Sequence, residues 1–210
     1  MRQSKAAPTK SALLQLKRQT RFLELGHDML ERKRELLTRV VHERLGQYRK
    51  LRLEARSAIE QAYRWLAIVQ MRMGSQFLRQ ASIGLEPAVD IGVLPRSSVG
   101  VEYPAVSAQA LPLQPVGLMW TDASFDEARR HLVELTLVLA RFGEAETALR
   151  RLLLEQRKTQ KRVNALKSNI IPAFRARISF IHAALEEEER NTLFQMKVLR
   201  ERAPAAADLA

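Results

Sequence analysis

The chain has 210 residues and no cysteine, so disulfide bridges and thiolate metal sites are excluded. Its 35 basic and 23 acidic residues give a formal net charge of +12, which favours acidic partners. No apolar run reaches the ~18 residues of a membrane span, and the N-terminus lacks the apolar core of a signal peptide. We therefore expect a soluble, unprocessed, cytoplasmic chain without direct membrane insertion.

The basic charge lies mainly in two flanking segments. Residues 1–80 carry 18 basic and 7 acidic residues, residues 81–124 carry 1 and 4, and residues 125–210 carry 16 and 12. Five of the eight prolines and four of the eight glycines lie between residues 84 and 117. Because these residues interrupt regular structure, the sequence predicts two helical arms around an irregular middle segment.

The first helical arm is predicted over residues 9–80. Pro8 cannot continue a helix backwards, and Thr9 is expected to cap the first turn through its hydroxyl. A leucine then recurs every seven residues, which is typical of a coiled-coil seam. The seam residues are Leu16, Leu23, Leu30 and Leu37, with Phe22, Met29 and Leu36 beside them. An uninterrupted helix of about 72 residues would run roughly 108 Å, so it needs a partner along its length.

The middle segment, residues 84–122, is predicted to contain a β-hairpin at about residues 89–103. Two runs of alternating apolar residues, Val89 to Val93 and Val99 to Tyr103, are separated by residues 94–98, which we interpret as the turn. An isolated hairpin is marginal, so it should rest on the helices, although their seam is expected to lie elsewhere. A better-packed end of the molecule is predicted from Tyr63, Trp65, Phe77, Trp120, Phe125 and Phe142.

The second arm is predicted over residues 124–202, with a flexible tail at residues 203–210. Its seam residues, at spacings of three, four or a few more, include Leu135, Phe142, Val163, Ile170, Phe174 and Ile181. The arms must run antiparallel, so facing residue numbers should total about 204, which places Leu30 near Phe174. The predicted fold is mainly α: one elongated domain, residues 1–210, formed by a long antiparallel two-helix coiled coil with a short β-hairpin in its middle segment.

Pro172 lies inside the second arm, where it lacks the N–H that would bond the carbonyl of Ser168. We expect a kink there, with Ser168 or Asn169 satisfying the freed backbone group. The kink either curves the arm for a mechanical purpose or is merely tolerated. Polar residues at or beside the seam would fix its register at a cost in stability. They are His27, Arg34, Glu146, Gln156, Gln160 and Lys167.

No motif for catalysis or cofactor binding is evident. The sequence has no phosphate-binding glycine loop and no nucleophile–base arrangement, and its four histidines are not spaced as paired metal ligands. We therefore expect no catalytic residue, no metal and no cofactor.

Three segments, in order, resemble the D subunit of the V-type and archaeal-type rotary ATPases, which forms the central stalk. The strongest is KTQKRVNALKSNIIP, residues 158–172. The second lies within residues 9–37 and contains TKSALLQLKR and GHDMLERKRELL. The third is SVGVEYPAV, residues 98–106. Thr20 and Arg21 depart from the family, which has apolar or small residues there, and Phe142 and Gly143 stand where the family is usually more acidic.

The resemblance implies a non-catalytic rotor that couples ATP hydrolysis or synthesis in a catalytic hexamer to ion translocation through a membrane ring. The implied partners are the catalytic A and B subunits, the small F subunit of the stalk and a membrane-ring connector, with no nucleic acid. Residues 9–45 and 165–202 would enter the hexamer, and residues 60–135 would face the F subunit and the connector. Candidate contacts to carboxylates of the catalytic ring are Lys10, Lys17, Arg18, Arg21, Arg175 and Arg177.

Two other functions remain compatible with the residues themselves. A helical chain of pI about 10.7 could bind nucleic acid through phosphate contacts, although its basic residues are spread around the helices without a recognisable motif. A coiled-coil scaffold of unrelated machinery would share the fold but not the three matching segments. Tight, salt-sensitive DNA or RNA binding without co-purifying ATPase subunits would favour the nucleic-acid binder.

Overall fold

A computed structural model describes residues 8–116 and 121–207, with side chains up to residue 200. Its elements are α1 (Lys10–Ile83), β1 (Val89–Ser98), β2 (Val101–Ala110), α2 (Ala123–Ala165), a π-helix (Leu166–Ile170) and α3 (Ile171–Ala207). The predicted fold class is confirmed: the protein is mainly α, with a long helix pair and a two-stranded antiparallel hairpin. None of the described helices is both long and apolar enough to cross a membrane.

The chain divides into two compact units, each containing segments of both helical arms. The terminal unit comprises residues 1–33 and 159–210, and the middle unit comprises residues 34–158. The single domain proposed from the sequence stays a prediction. Each unit is described by itself below.

Helix α1 begins at the predicted cap. The hydroxyl oxygen of Thr9 accepts a hydrogen bond from the N–H of Ala12 at 3.2 Å. The Thr9 carbonyl accepts the first helical bond from the N–H of Leu13 at 3.0 Å. The side chain thus satisfies one of the free donors of the first turn, and the predicted N-cap is confirmed.

Gly74 interrupts α1 within the middle unit, with φ 75° and ψ 157°. Leu78 and Leu85, which follow the break, pack on the same cluster as Val69. On a straight helix, Leu85 would lie about 24 Å beyond Val69. The chain therefore changes direction at Gly74, and the prediction of an uninterrupted helix to residue 80 is wrong.

The hairpin is longer than predicted, and its turn lies elsewhere. Val99 and Gly100 form a two-residue turn with φ values of 53° and 74°. Positive φ at both central residues is what a type I′ turn requires. Residues 94–98, predicted as the turn, belong to β1. The prediction failed because Pro95 suggested a break, whereas it lies opposite Pro104 within the paired strands.

The hairpin contributes to the main core of the middle unit. One apolar cluster contains Leu37, Val41, Val101, Leu149 and Leu152. Tyr103, two residues along β2, is 2% exposed, and its hydroxyl accepts a hydrogen bond from Nη2 of Arg44 at 3.1 Å. The hairpin therefore rests on the helices as predicted. The structure contradicts the expectation that the helical seam lies apart from the hairpin, because both share this core.

The predicted aromatic group comes together only in part. Trp65 packs against the second cluster of the middle unit, which contains buried Phe125 and Val69. Phe142 instead stacks on Tyr48, with 5.4 Å between ring centroids. Tyr63 and Phe77 are exposed, and Trp120 lies outside the described residues.

The ten predicted seam residues are all buried or half-buried. The buried ones are Leu37, Leu135, Val163 and Ile181, and the half-buried ones are Leu16, Leu23, Leu30, Phe142, Ile170 and Phe174. By contrast, Phe22, Met29 and Leu36 are 75%, 74% and 50% exposed. These three residues therefore lie on an outer face of α1 instead of supporting the seam.

The helices of the terminal unit run antiparallel, in a register that differs from the prediction. Lys10 contacts Glu189 and Glu24 contacts Arg175, so facing numbers total 199 rather than about 204. The position opposite Leu30 therefore lies near residue 169 rather than at Phe174.

The π-helix lies immediately before Pro172. The N–H of Ile171 bonds the carbonyl of Leu166, five residues back instead of four. Pro172 has no N–H with which to continue this pattern, so the irregular turn lies where the backbone ladder is already interrupted. The sequence pattern did not predict the π-helix, and the kink at Pro172 stays a prediction.

Candidate functional site

The terminal unit presents an apolar stripe on the outer face of α1, which we call the α1 stripe. Its residues are Leu14, Phe22, Leu25 and Met29, with exposed fractions of 58%, 75%, 59% and 74%. Their spacing places them on one side of the helix, together with Arg18. Contiguous exposed apolar residues of this kind mark contact surfaces for other proteins.

The end of α3 is also apolar and exposed. Leu193, Phe194, Met196 and Leu199 are 62%, 68%, 54% and 67% exposed, and their spacing distributes them over several faces of the helix. Glu189 lies opposite Lys10, the first residue of α1. Leu193 and Met196 line a surface pocket together with Lys10. Gln195, Lys197 and Arg200 lie among the apolar residues, so this helix end presents a mixed apolar and polar surface.

The six predicted ring contacts are all exposed, but two of them are engaged within the chain. Nζ of Lys10 lies 2.7 Å from Oε1 of Glu189, and Nη2 of Arg175 lies 2.6 Å from Oε1 of Glu24. Both pairs join the two helices of the terminal unit. The other four residues have no ion-pair partner among the described residues. They are Lys17, Arg18, Arg21 and Arg177.

The exposed ion pairs shift the pKa values of their members. The hydrogen bond and the charge of Glu189 raise the pKa of Lys10, and Lys10 in turn lowers the pKa of Glu189. In the middle unit, hydrogen bonds from Arg72 and then from Ser124 lower the pKa of Asp122. Exposed pairs of this kind fix side-chain positions and contribute little to stability.

Some polar residues predicted at the seam do bridge the helices. In the middle unit, Nε2 of Gln156 donates a hydrogen bond to Oγ1 of Thr38 at 2.9 Å. Glu146 and Lys167 are exposed and therefore lie beside the seam, not within it. His27, Arg34 and Gln160 are half-buried.

Two threonines of the terminal unit are buried, and one of them, Thr20, stands where an apolar or small residue was expected. Thr20 is 6% exposed and Thr159 is 1% exposed. Oγ1 of Thr20 donates to the carbonyl of Leu16 at 2.9 Å, within its own helix. Because the hydroxyl is satisfied locally, the threonine can stand at a buried position. The departure at Thr20 is therefore accommodated by the helix itself.

The described residues contain no group of three or more His, Cys, Asp or Glu side chains placed to hold a metal ion. The surroundings of His27 are an example. Its two ring nitrogens each lie 3.3 Å from a carboxylate oxygen of its own helix, of Asp28 and of Glu31. These contacts are local to one helix.

An antiparallel helix pair with a packed hairpin and an exposed apolar surface is typical of helical subunits that bind other proteins. The family model described as the D subunit of ATP synthase matches residues 12–201. The chain therefore belongs to the ATP synthase D-subunit family.

Individual relatives agree with this assignment. The chain is 34% identical over 197 residues to the D subunit of the V-type ATP synthase of Thermotoga neapolitana, covering 93% of this chain and 97% of the relative. It is 32% identical over 200 residues to the D subunit of the A-type ATP synthase of Pyrococcus furiosus, covering 93% and 94%. It is 34% identical over 204 residues to the D subunit of the V-type ATP synthase of Thermus thermophilus, covering 94% and 88%.

Proposed function

We propose that this chain is the non-catalytic central-stalk rotor of a V/A-type rotary ATPase or ATP synthase. In this role it couples ATP hydrolysis or synthesis in the catalytic hexamer to ion translocation through the membrane ring. The observation that carries the proposal is the exposed apolar surface of the terminal unit in a chain that matches the D-subunit family over residues 12–201.

The chemistry of this surface suits a rotating contact. Apolar contacts are non-directional, so the free energy of the α1 stripe against a surrounding ring changes little as the helix turns. Each exposed basic contact contributes only about 0–1 kcal/mol, so no single ion pair would hold the rotor at one angle. A lining of the ring that is apolar, with scattered carboxylates, would match both properties.

The proposal assigns partners to each unit. The terminal unit, with Arg18 and the α1 stripe, contacts the catalytic A and B subunits. The middle unit contacts the small F subunit of the stalk and the membrane-ring connector. The chain acts on the cytoplasmic side, as part of a membrane-associated complex. Active sites, nucleotides and metal ions belong to its partners in the complex.

Co-purification tests the proposal and separates it from nucleic-acid binding. A tag on this chain should recover the catalytic subunits, the F subunit and the connector under gentle lysis. Phe22→Ser with Met29→Ser should reduce recovery of the catalytic subunits at least about tenfold, because it removes the two most exposed side chains of the α1 stripe. Equal recovery, or recovery of nucleic acid in place of ATPase subunits, would contradict the proposal.

A matched control lies in the middle unit. Phe77 is 46% exposed, so Phe77→Ser also removes exposed apolar surface but leaves the α1 stripe intact. Catalytic subunits should be recovered with this variant as with the wild-type chain.

A further inference from the structure

The prolines of the hairpin determine which backbone groups face outward. Pro95 lies directly opposite Pro104. Neither residue has an N–H to donate to the partner strand. The two prolines therefore form a non-hydrogen-bonded pair, in which the backbone nitrogen and carbonyl of both residues point away from the partner strand. Every second residue of each strand shares this orientation. In β1 the outward groups therefore belong to Val89, Ile91, Val93 and Ser97, and in β2 to Glu102, Val106, Ala108 and Ala110.

Contacts to α2 agree with this assignment and satisfy the outer edge of β2. The N–H of Val106 donates to Oε2 of Glu144 at 3.0 Å. The carbonyl of Glu102 accepts a hydrogen bond from Nη1 of Arg151 at 2.9 Å. Between these residues Pro104 has no N–H to satisfy. Side chains of α2 therefore occupy this edge between Glu102 and Val106.

The outer edge of β1 differs from that of β2 in the exposure of its apolar side chains. The backbone N–H and C=O groups of Ile91 and Val93 point away from β2, and their side chains are 45% and 60% exposed. The neighbouring Leu94 is 67% exposed. A strand edge with exposed apolar side chains is the template on which another extended chain forms hydrogen bonds.

The geometry points to a third strand: we infer that residues 89–94 of β1 bind an extended segment of another protein of the ATPase complex. The backbone groups of Ile91 and Val93 require a partner that supplies main-chain donors and acceptors. Pro95 ends the open stretch, so the bound segment is about six residues long. Its side chains are apolar where they lie beside Ile91 and Val93.

Charge further defines the segment. Asp90 and Glu86 are exposed near the start of the edge, and Glu86 accepts a hydrogen bond from Nε2 of Gln114. The bound segment therefore carries Lys or Arg near the end that faces Asp90. The inference rests on assembly of this chain with other ATPase subunits but not on rotation.

Amide hydrogen exchange tests the inference in the full chain, free and in the assembled complex purified through a tag on it. In the free chain the amides of Ile91 and Val93 should exchange fast, while Gly92 and Leu94, which face β2, are protected. In the complex the amides of Ile91 and Val93 should exchange about tenfold or more slowly. Unchanged exchange at both residues would overturn the inference. If the amides of Ile91 and Val93 are protected in the free chain, and this protection increases with the concentration of the chain, the inference is also overturned. The edge would then bind a second copy of the chain.

Proline substitutions provide the matched pair of variants. Val93→Pro removes an outward N–H inside the open stretch, and Ser97→Pro removes an equivalent N–H beyond Pro95. Val93→Pro should abolish the slowing at Ile91 in the complex, whereas Ser97→Pro should leave it unchanged.

Protection of Gly92 and Leu94 in the free variant reports that the hairpin is intact. If Val93→Pro disturbs it, Ile91→Ser with Val93→Ser should weaken the slowing by removing only side-chain contacts. Slowing that survives these changes would overturn the inference, whatever the outcome of the rotor experiment.

Discussion

At the scale of single residues, Asp122 shows how an exposed contact alters titration. Arg72 and Ser124 donate hydrogen bonds to its carboxylate and lower its pKa. A lowered folded-state pKa stabilises the fold above the ordinary value of about 3.9. This contribution is lost as the pH falls through the folded-state pKa.

Arg72→Gln should therefore raise the pKa of Asp122 towards the ordinary value. Carboxyl-carbon NMR across an acid titration measures this shift. Arg56→Gln is the control, because Arg56 pairs with Glu60 on its own helix and should leave Asp122 unaffected. An unchanged Asp122 titration in Arg72→Gln would show that the ion pair is absent in solution.

Two leucines of α2 allow a buried and an exposed apolar side chain to be compared. Leu152 is 0% exposed in the core shared with the hairpin, whereas Leu154 is 58% exposed. Leu152→Ala should lower the free energy of unfolding by about 2–5 kcal/mol, because it leaves a cavity. Leu154→Ala should change it by less than about 0.5 kcal/mol. Denaturant titration of both variants measures the difference, and equal losses would contradict this description of the core.

At the scale of elements, the break in α1 depends on a conformation that only glycine adopts readily. With φ 75° and ψ 157°, Gly74 lies where a side chain is strained even though an added Cβ would meet no atom within 4 Å. Gly74→Ala should therefore destabilise the protein by about 1–3 kcal/mol.

Gly46, in the regular part of α1, is the matched control. It is exposed, and an added Cβ would meet nothing within 4 Å. Gly46→Ala should stabilise the helix by about 0.5–1 kcal/mol. Thermal unfolding distinguishes the two variants by the opposite signs of their shifts. A stabilising Gly74→Ala would mean that the helix continues through residue 74.

Local patterns predicted the elements that depend on local physics. The heptad leucines, the cap at Thr9 and the alternating residues of β1 and β2 depend on neighbouring positions, so the sequence predicts the helices and the hairpin. The turn at Val99 was missed, because a β-branched residue seldom adopts positive φ. Its side chain packs against the Leu37 cluster, a long-range contact that offsets the local cost.

At the scale of the whole molecule, the contact surface was predicted in part. The sequence identified exposed basic residues near both termini but could not show that Glu24 and Glu189 already engage Arg175 and Lys10. Phe22 and Met29 were assigned to the flank of the seam. Heptad spacing alone does not say which of two adjacent apolar rows faces the partner helix, and the row is decided by packing along both helices.

Rotation as one body predicts that a covalent link within the chain is harmless. Glu24 and Arg175 meet across the helices of the terminal unit, and the chain has no cysteine of its own. Glu24→Cys with Arg175→Cys, joined by a short bis-maleimide, should leave ATP turnover of the assembled complex largely intact. This variant is the control for linking chemistry at the rotor.

The most direct test of the rotor is a reversible link between this chain and the catalytic ring. Arg18→Cys places a thiol on the α1 stripe, and a second cysteine is introduced on the facing surface of the ring. Disulfide formation should stop sustained ATP turnover, and reduction should restore it. If the disulfide forms fully and multisite turnover continues unchanged, the chain does not rotate against the ring, and a static scaffold would replace the rotor.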